Sequence, residues 1–230
     1  MDNKVYILHG WTYSLTAWDA CISQLRKHGL DPIVLKVPGL TEHSEDVWTL
    51  ESYVEWLVQI LSDKKDITLI CHSNGGRIAL AYASRNPSKI AKLILIDSAG
   101  IRHNELSLKA RRAVFGSLAK AGRALTSSPK ARKVFYRLIG AKDYERAPEN
   151  MRKTMRNLLS VDLTPELENV EVPTLLIWGE RDTATPVSDA RIMHERIKNS
   201  KLITIPNTGH SPHMTHPEKV AEDIVEWLTA

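Results

Sequence analysis

The sequence predicts an α/β fold: a mostly parallel sheet of about six strands, with helices on both faces and one helical insertion. Three observations carry this expectation. Short apolar, β-branched runs recur at 5–8, 33–37, 67–71, 93–96, 174–178 and 202–205, nearly free of the polar alternation of a half-solvated sheet, so both faces should be covered. Helical patterns of period 3.6 lie between them, as crossovers between parallel strands require. Between about 100 and 163 there is no convincing strand, only further helical spacing.

In chain order, Trp18, Cys21, Ile22 and Leu25 share one helix face, and Gly29 follows as a residue suited to the left-handed C′ position. Thr49 is a candidate N-cap for a helix carrying Tyr53, Trp56, Leu57 and Ile60. A third helix starts near Asn74, carries Ile78, Ala79 and Tyr82, and stops at Asn86-Pro87. The insertion repeats Leu108, Phe115, Leu118 and Leu125; then Ser128-Pro129, an N-cap and N1 pair, before Val134, Phe135, Leu138 and Ile139; then Met151, Met155 and Leu158. Two late helices are expected near 188–197 and 217–228. One domain follows, with its core at 1–99 and 164–230 and the helical insertion at 100–163.

Composition narrows the function classes. With 230 residues, 43% hydrophobic and 25% charged, the chain is neither disordered nor collagen-like, and it is long enough for one sizeable core. Two cysteines make no disulfide scaffold, and a reducing, cytoplasmic setting is the expectation. The four apolar residues before His9 are too few for a signal peptide, and no run approaches the roughly 20 residues of a membrane span. Charge is uneven. Residues 100–160 hold 15 Lys/Arg against 4 Asp/Glu, a local +11, which leaves −7 on the rest of a chain of net +4. That segment reads as a solvated helix face, as a field attracting an anionic substrate, or as a weak membrane-surface contact, since Lys109, Arg112, Lys120 and Arg123 accompany an apolar stripe. No aromatic interleaving or recognition motif points to a nucleic acid. No phosphate-cradling glycine pattern points to a nucleotide, so no cofactor is expected.

The chemistry concentrates at Cys71-His72-Ser73-Asn74-Gly75-Gly76, where a buried strand passes directly into a helix. A serine at such a turn stands exposed at its tip, and small residues two before and two after it let strand and helix backbones crowd together. Alone the motif is weak, and a simple N-cap serine is the bland reading. A serine hydroxyl needs a base, and the base an orienting acid. Two later loops after strands offer them, Gly179-Glu180-Arg181-Asp182 and Asn207-Thr208-Gly209-His210. The order Ser73, Asp182, His210, each group after a strand's carboxyl end, is far more specific than any part.

These residues, with His9-Gly10-Trp11-Thr12 after the first strand and Leu95-Ile96-Asp97 ending the fourth, resemble the α/β-hydrolase superfamily over nearly the whole chain. The resemblance implies a serine hydrolase, most simply a carboxylesterase acting on small to medium acyl esters. Ser73 is then nucleophile, His210 general base and acid, Asp182 the orienting carboxylate, and the backbone N–H groups of Trp11 and Asn74 the oxyanion hole. The insertion corresponds to the family's cap, whose Phe115, Leu118, Phe135, Leu138, Met151 and Met155 would wall the substrate pocket. Lactone or carbon–carbon hydrolysis would use the same triad, and a non-catalytic binding protein on the same scaffold is the alternative outside enzymes. The sequence departs from the family in three places. Cys71 stands where glycine is usual, no second glycine follows Trp11, and the family's first two antiparallel strands have no counterpart. Other assignments remain open: Asp97 as the acid, Cys71 as a thiol nucleophile, a metal cluster of His210, His213 and His216 with unfavourable spacing, and His9 as a structural residue of the oxyanion loop.

Overall fold

The computed structural model describes residues 4–102 and 147–230. Its six strands are β1 (Val5–Leu8), β2 (Ile33–Val34), β3 (Ile67–His72), β4 (Ile90–Ile96), β5 (Thr174–Gly179) and β6 (Ser200–Ile205). They form one sheet in the order β2-β1-β3-β4-β5-β6, and every pairing is parallel. The helices longer than two turns are α1 (Asp19–Lys27), α2 (Leu50–Ile60), α3 (Asn74–Arg85), α4 (Glu149–Ser160), α5 (Val187–Arg196) and α6 (Pro217–Thr229). The segment 103–146, which holds most of the expected insertion, lies outside the described residues.

Alternate strand residues serve opposite layers, as the pleat dictates. Tyr6, Leu8, Leu69, Cys71, Leu93, Leu95, Leu176 and Trp178 pack with Tyr53, Leu57, Ile78, Tyr82 and Met193 on one face. Val5, Ile7, Ile70, Ile94, Ile96 and Ile177 pack with Trp18, Cys21, Leu25, Val220 and Ile224 on the other. Each such side chain, fully buried, is worth about 1.5–3 kcal/mol. Local signals set the helix starts: the Thr49 hydroxyl accepts the Ser52 N–H at 3.2 Å while the Ser52 hydroxyl oxygen accepts the Thr49 N–H at 2.8 Å, a reciprocal cap on α2.

Two strands differ from expectation by three residues. β2 stops after two residues because the chain turns back on itself: the Val37 carbonyl accepts from the N–H groups of Leu40, Thr41 and Glu42. β4 begins three residues early, at Ile90. Its Lys92 does not face open solvent. The ammonium stands 5.0 Å over the Trp227 ring and donates to the Leu228 carbonyl at 2.9 Å.

Helix α4 is fastened to the core by polar contacts. The Asn150 side chain donates to the Ser44 and Asp46 carbonyls, that of Asn157 to the Trp48 carbonyl, and the Thr154 hydroxyl oxygen accepts the Trp48 N–H at 2.8 Å. At its far end Arg77 of α3, buried, donates to the Leu158 and Val161 carbonyls at 2.6 and 3.0 Å. These carbonyls lie at the C-terminal end of the helix, where the Leu158 carbonyl otherwise accepts only the Val161 N–H, at 3.3 Å. Burial lowers the Arg77 guanidinium to about 10, so it remains charged at neutral pH. Arg77→Leu is expected to destabilise by about 2–4 kcal/mol, because it removes two charge-assisted hydrogen bonds and leaves the buried Leu158 carbonyl with one long bond. Urea unfolding measures it, and a loss under about 0.5 kcal/mol, the range of an ordinary surface change, would contradict the assignment.

Candidate active site

Three strand ends deliver the site. Ser73 sits between β3 and α3 with φ 52° and ψ −116°, backbone that a non-glycine residue adopts only at a cost of order 1–3 kcal/mol. The crowding that forces this turn is visible at Gly75, where an added Cβ would stand 2.1 Å from the Leu8 carbonyl oxygen. The loop after β1 passes just as close: a Cβ on Gly10 would lie 3.0 Å from that of Ser73. His9 holds this loop, donating from Nδ1 to the Gly10 carbonyl at 2.8 Å and accepting the Thr41 hydroxyl at Nε2 at 2.7 Å.

The Ser73 hydroxyl lies 2.9 Å from His210 Nε2, and His210 Nδ1 lies 2.7 Å from Asp182 Oδ2. The network assigns the tautomer: Nδ1–H donates to the carboxylate, leaving Nε2 to accept from serine. The Asp182 side chain is 0% exposed and that of His210 26%. Asp182 is fixed by its own loop, since Oδ1 accepts the Ala184 and Thr185 N–H groups at 2.7 and 3.1 Å and Oδ2 the Thr185 hydroxyl at 2.7 Å. An Asp with Thr three residues on, ahead of Pro186, is the sequence mark of such a turn, and Thr185 is a site residue the motifs did not single out.

Asp182, then, meets His210. Asp97, the alternative acid, is buried at the end of β4 next to that pair and accepts the Gly179 N–H. Cys71 faces the core, completely buried, and burial pushes its thiol far above the usual range, so it offers no thiolate. A group of histidines surrounds His210. His72 donates from Nε2 to the His210 carbonyl at 2.8 Å, and His213, also buried, stacks on Trp18 at 4.3 Å and meets the His72 ring at 4.4 Å. His216 instead pairs with the Thr208 hydroxyl. Among the described residues, the three side chains whose ligand atoms come together are His72, Asp97 and His210, within 4.8 Å of one another. Both nitrogens of His210 are already engaged by Asp182 and Ser73.

Asn74 opens α3, whose first-turn N–H groups have no intrahelical acceptor. Trp11, half-buried, continues the loop that Gly10 brings against Ser73. Of the six expected pocket residues, Met151 is buried against Gly39 in the core and Met155 is half-buried on α4. Phe115, Leu118, Phe135 and Leu138 lie outside the described residues.

A profile of the alpha/beta hydrolase family matches residues 5–223. The chain belongs to the alpha/beta hydrolase family. As an alpha/beta hydrolase it is an enzyme, and several of its relatives carry lipase or esterase names. It is 25% identical to the monoacylglycerol lipase ABHD6 of Bos taurus, over 99% of this chain and 75% of that protein. It is also 25% identical to the pimeloyl-[acyl-carrier protein] methyl ester esterase of Nitrosospira multiformis, over 96% and 92%. Its fold superposes on an esterase from Exiguobacterium antarcticum with a TM-score of 0.76 at 20% identity, covering 99% of this chain and 92% of the other. MenH from S. aureus superposes with a TM-score of 0.73 at 26% identity, over 100% and 94%. Among the described residues no helix is long and apolar enough to cross a membrane.

Proposed function

We propose that this alpha/beta hydrolase is a cofactor-independent serine esterase acting on small to medium acyl esters. The observation that carries the reading is the continuous chain of hydrogen bonds from Ser73 through His210 to Asp182. In the proposed reaction His210 Nε2 takes the Ser73 proton as Oγ attacks the acyl carbon. The backbone N–H groups of Trp11 and Asn74 stabilise the oxyanion. The imidazolium, held by Asp182, then protonates the leaving alkoxide, and a water activated by the same nitrogen releases the acid from the acyl-enzyme. Removing one oxyanion donor typically costs about 2.7–4 kcal/mol of barrier. The two relatives named above for a monoacylglycerol and for a methyl ester support carboxylic esters as the substrate class.

The segment 100–163 acts as a cap that selects the acyl group, with Phe115, Leu118, Phe135 and Leu138 as its apolar wall. Met151, packed on Gly39, anchors the last cap helix instead. Each methylene accommodated is worth about 0.8 kcal/mol, so preference should change gradually with chain length.

The test combines fluorophosphonate labelling with kcat/KM over an ester series at low and high salt, a lactone included. Labelling of Ser73 and a graded ester profile that flattens in Phe135→Ala and Leu138→Ala are expected. Because exposed charges are screened over about 8–10 Å, salt should weaken turnover of anionic esters only. Absent labelling with no ester turnover would reject the esterase reading, and a chain-length profile untouched by both variants would reject the cap as selector.

A further inference from the structure

Asp97 is fully buried and closes β4 with left-handed backbone, φ 43°. One of its carboxyl oxygens accepts the Gly179 N–H at 2.8 Å, while Oδ2 is buried without a hydrogen-bond partner among the described residues. Buried acceptors normally find donors, and Oδ2 gains its partner by keeping a proton, since the neutral carboxyl hydrogen-bonds to Asp182. Its surroundings hold titratable groups from each adjoining strand end. His72 on β3 and His210 after β6 bring ligand atoms within 4.8 Å, and Asp182 lies in the loop after β5. Burial and the neighbouring Asp182 charge lift the Asp97 carboxyl well above the usual range. Thr185 links the two acids, its hydroxyl oxygen lying 2.7 Å from Asp182 Oδ2 and 3.1 Å from the Asp97 carbonyl oxygen. Asp182 holds the His210 imidazole and Asp97 stands within 4.8 Å of it, and the low-dielectric site tolerates one negative charge.

Resting on the reading of Ser73, His210 and Asp182 as the reacting set, we infer that Asp97 is a positioning residue with two states: a neutral acid that holds the Gly179 end of the acid loop, and a reserve carboxylate that orients His210 when Asp182 carries no charge. In the resting enzyme Asp97 keeps its proton and accepts from Gly179. With Asp182 neutral the charge repulsion is gone and burial alone holds the Asp97 proton, so the carboxyl ionises as the pH rises. Its proton passes to solvent, and Oδ2 accepts the Nδ1–H of His210 after a small movement of the ring toward β4. The tautomer that presents Nε2 to Ser73 is preserved, because either carboxylate takes the same proton.

The experiment compares Asp182→Asn, Asp97→Asn and the double variant by ester turnover and by the rate of fluorophosphonate labelling at Ser73, from pH 6 to 10. Asp182→Asn is expected to retain at least tenfold more activity than the double variant, and to gain up to about tenfold per pH unit above neutrality as Asp97 ionises. The double variant should show no such gain. Asp97→Asn alone should lose less than tenfold. Equal rates for Asp182→Asn and the double variant at every pH would overturn the inference. So would an Asp97→Asn loss as large as that of Asp182→Asn, which would make Asp97 the resident acid. Circular dichroism checks the fold, and Asp182→Asn with Asp97→Ser replaces a double variant that fails to fold. A flat pH profile of Asp182→Asn rejects the inference on its own. Failure of the underlying reading looks different, since the wild type would then not be labelled at Ser73.

Discussion

Ser73→Ala is expected to lower kcat/KM by about four to six orders of magnitude while the folded state is kept. The hydroxyl is the only group at the tip of the β3–α3 turn aimed at His210 Nε2, and a water in its place has neither its fixed position nor the tight turn behind it. Loss of one hydroxyl at a half-buried position removes little packing. The stability change should therefore be small, and Ser73→Gly sharpens the contrast. Glycine adopts φ 52° and ψ −116° without the penalty serine meets, so this variant should be as inactive as alanine yet more stable, by up to about 1 kcal/mol. Turnover of a short-chain ester and thermal unfolding of the three proteins together decide the matter. Alanine turnover within tenfold of wild type would remove Ser73 from the reaction, and a glycine variant less stable than alanine would remove the strain.

The parts of this site that were legible in the sequence are those tied to one turn. Small residues about a serine, between a buried strand and a helix, can be read without coordinates, because the crowding that makes Gly75 necessary is local to that turn and β1 beside it. Asp182 and His210 were legible through their strand-end loops. Asp97, His72, His213 and Thr185 form a different class. Their relations exist only once β3, β4, β5 and β6 lie side by side, so no spacing along the chain announces them. The fold shows the same division. Alternation of strands and helices gave the layers, but Lys92 hid the early start of β4, because its polar end folds back onto Trp227 and the end of α6. Along the chain nothing marks the polar residues of α4 as contacts either, although Asn150, Thr154 and Asn157 fasten it to the 44–48 loop.

Conformational stability is expected to peak near pH 6.5 and fall steeply on the acid side and more gently on the alkaline side. His9, His72 and His213 are buried rings that remain neutral. Burial lowers all three, His213 to about 3, helped by the facing His210; His72 is lowered further by His213, His210 and His9 around it. In the unfolded chain they titrate near 6.5. Below that value the unfolded state takes up protons that the folded state refuses. The stability these rings provide is therefore complete above pH 6.5 and is lost as pH falls toward their folded values, at up to about 1.4 kcal/mol per pH unit for each. Asp97 has the opposite sign. Burial and the Asp182 charge raise it to about 9, against about 3.9 when unfolded. Folding keeps a proton that the unfolded chain releases, so its penalty is absent below about pH 3.9 and grows with pH until about 9. Above pH 6.5 the Asp97 contribution alone removes up to about 1.4 kcal/mol per pH unit; as pH falls below 6.5 the protons that the three histidines take up on unfolding outweigh the one that Asp97 releases, so stability is lost. A fold stable by about 5–15 kcal/mol reaches its acid transition within a few units on such a slope. Urea unfolding at half-unit steps from pH 4 to 9 measures both limbs. His213→Phe, which keeps the stacking on Trp18 without a titrating nitrogen, should reduce the acid slope by about one proton, and Asp97→Asn should flatten the alkaline limb. A pH-independent stability, or limbs unmoved by both substitutions, would mean that these buried groups titrate alike in the folded and unfolded chain.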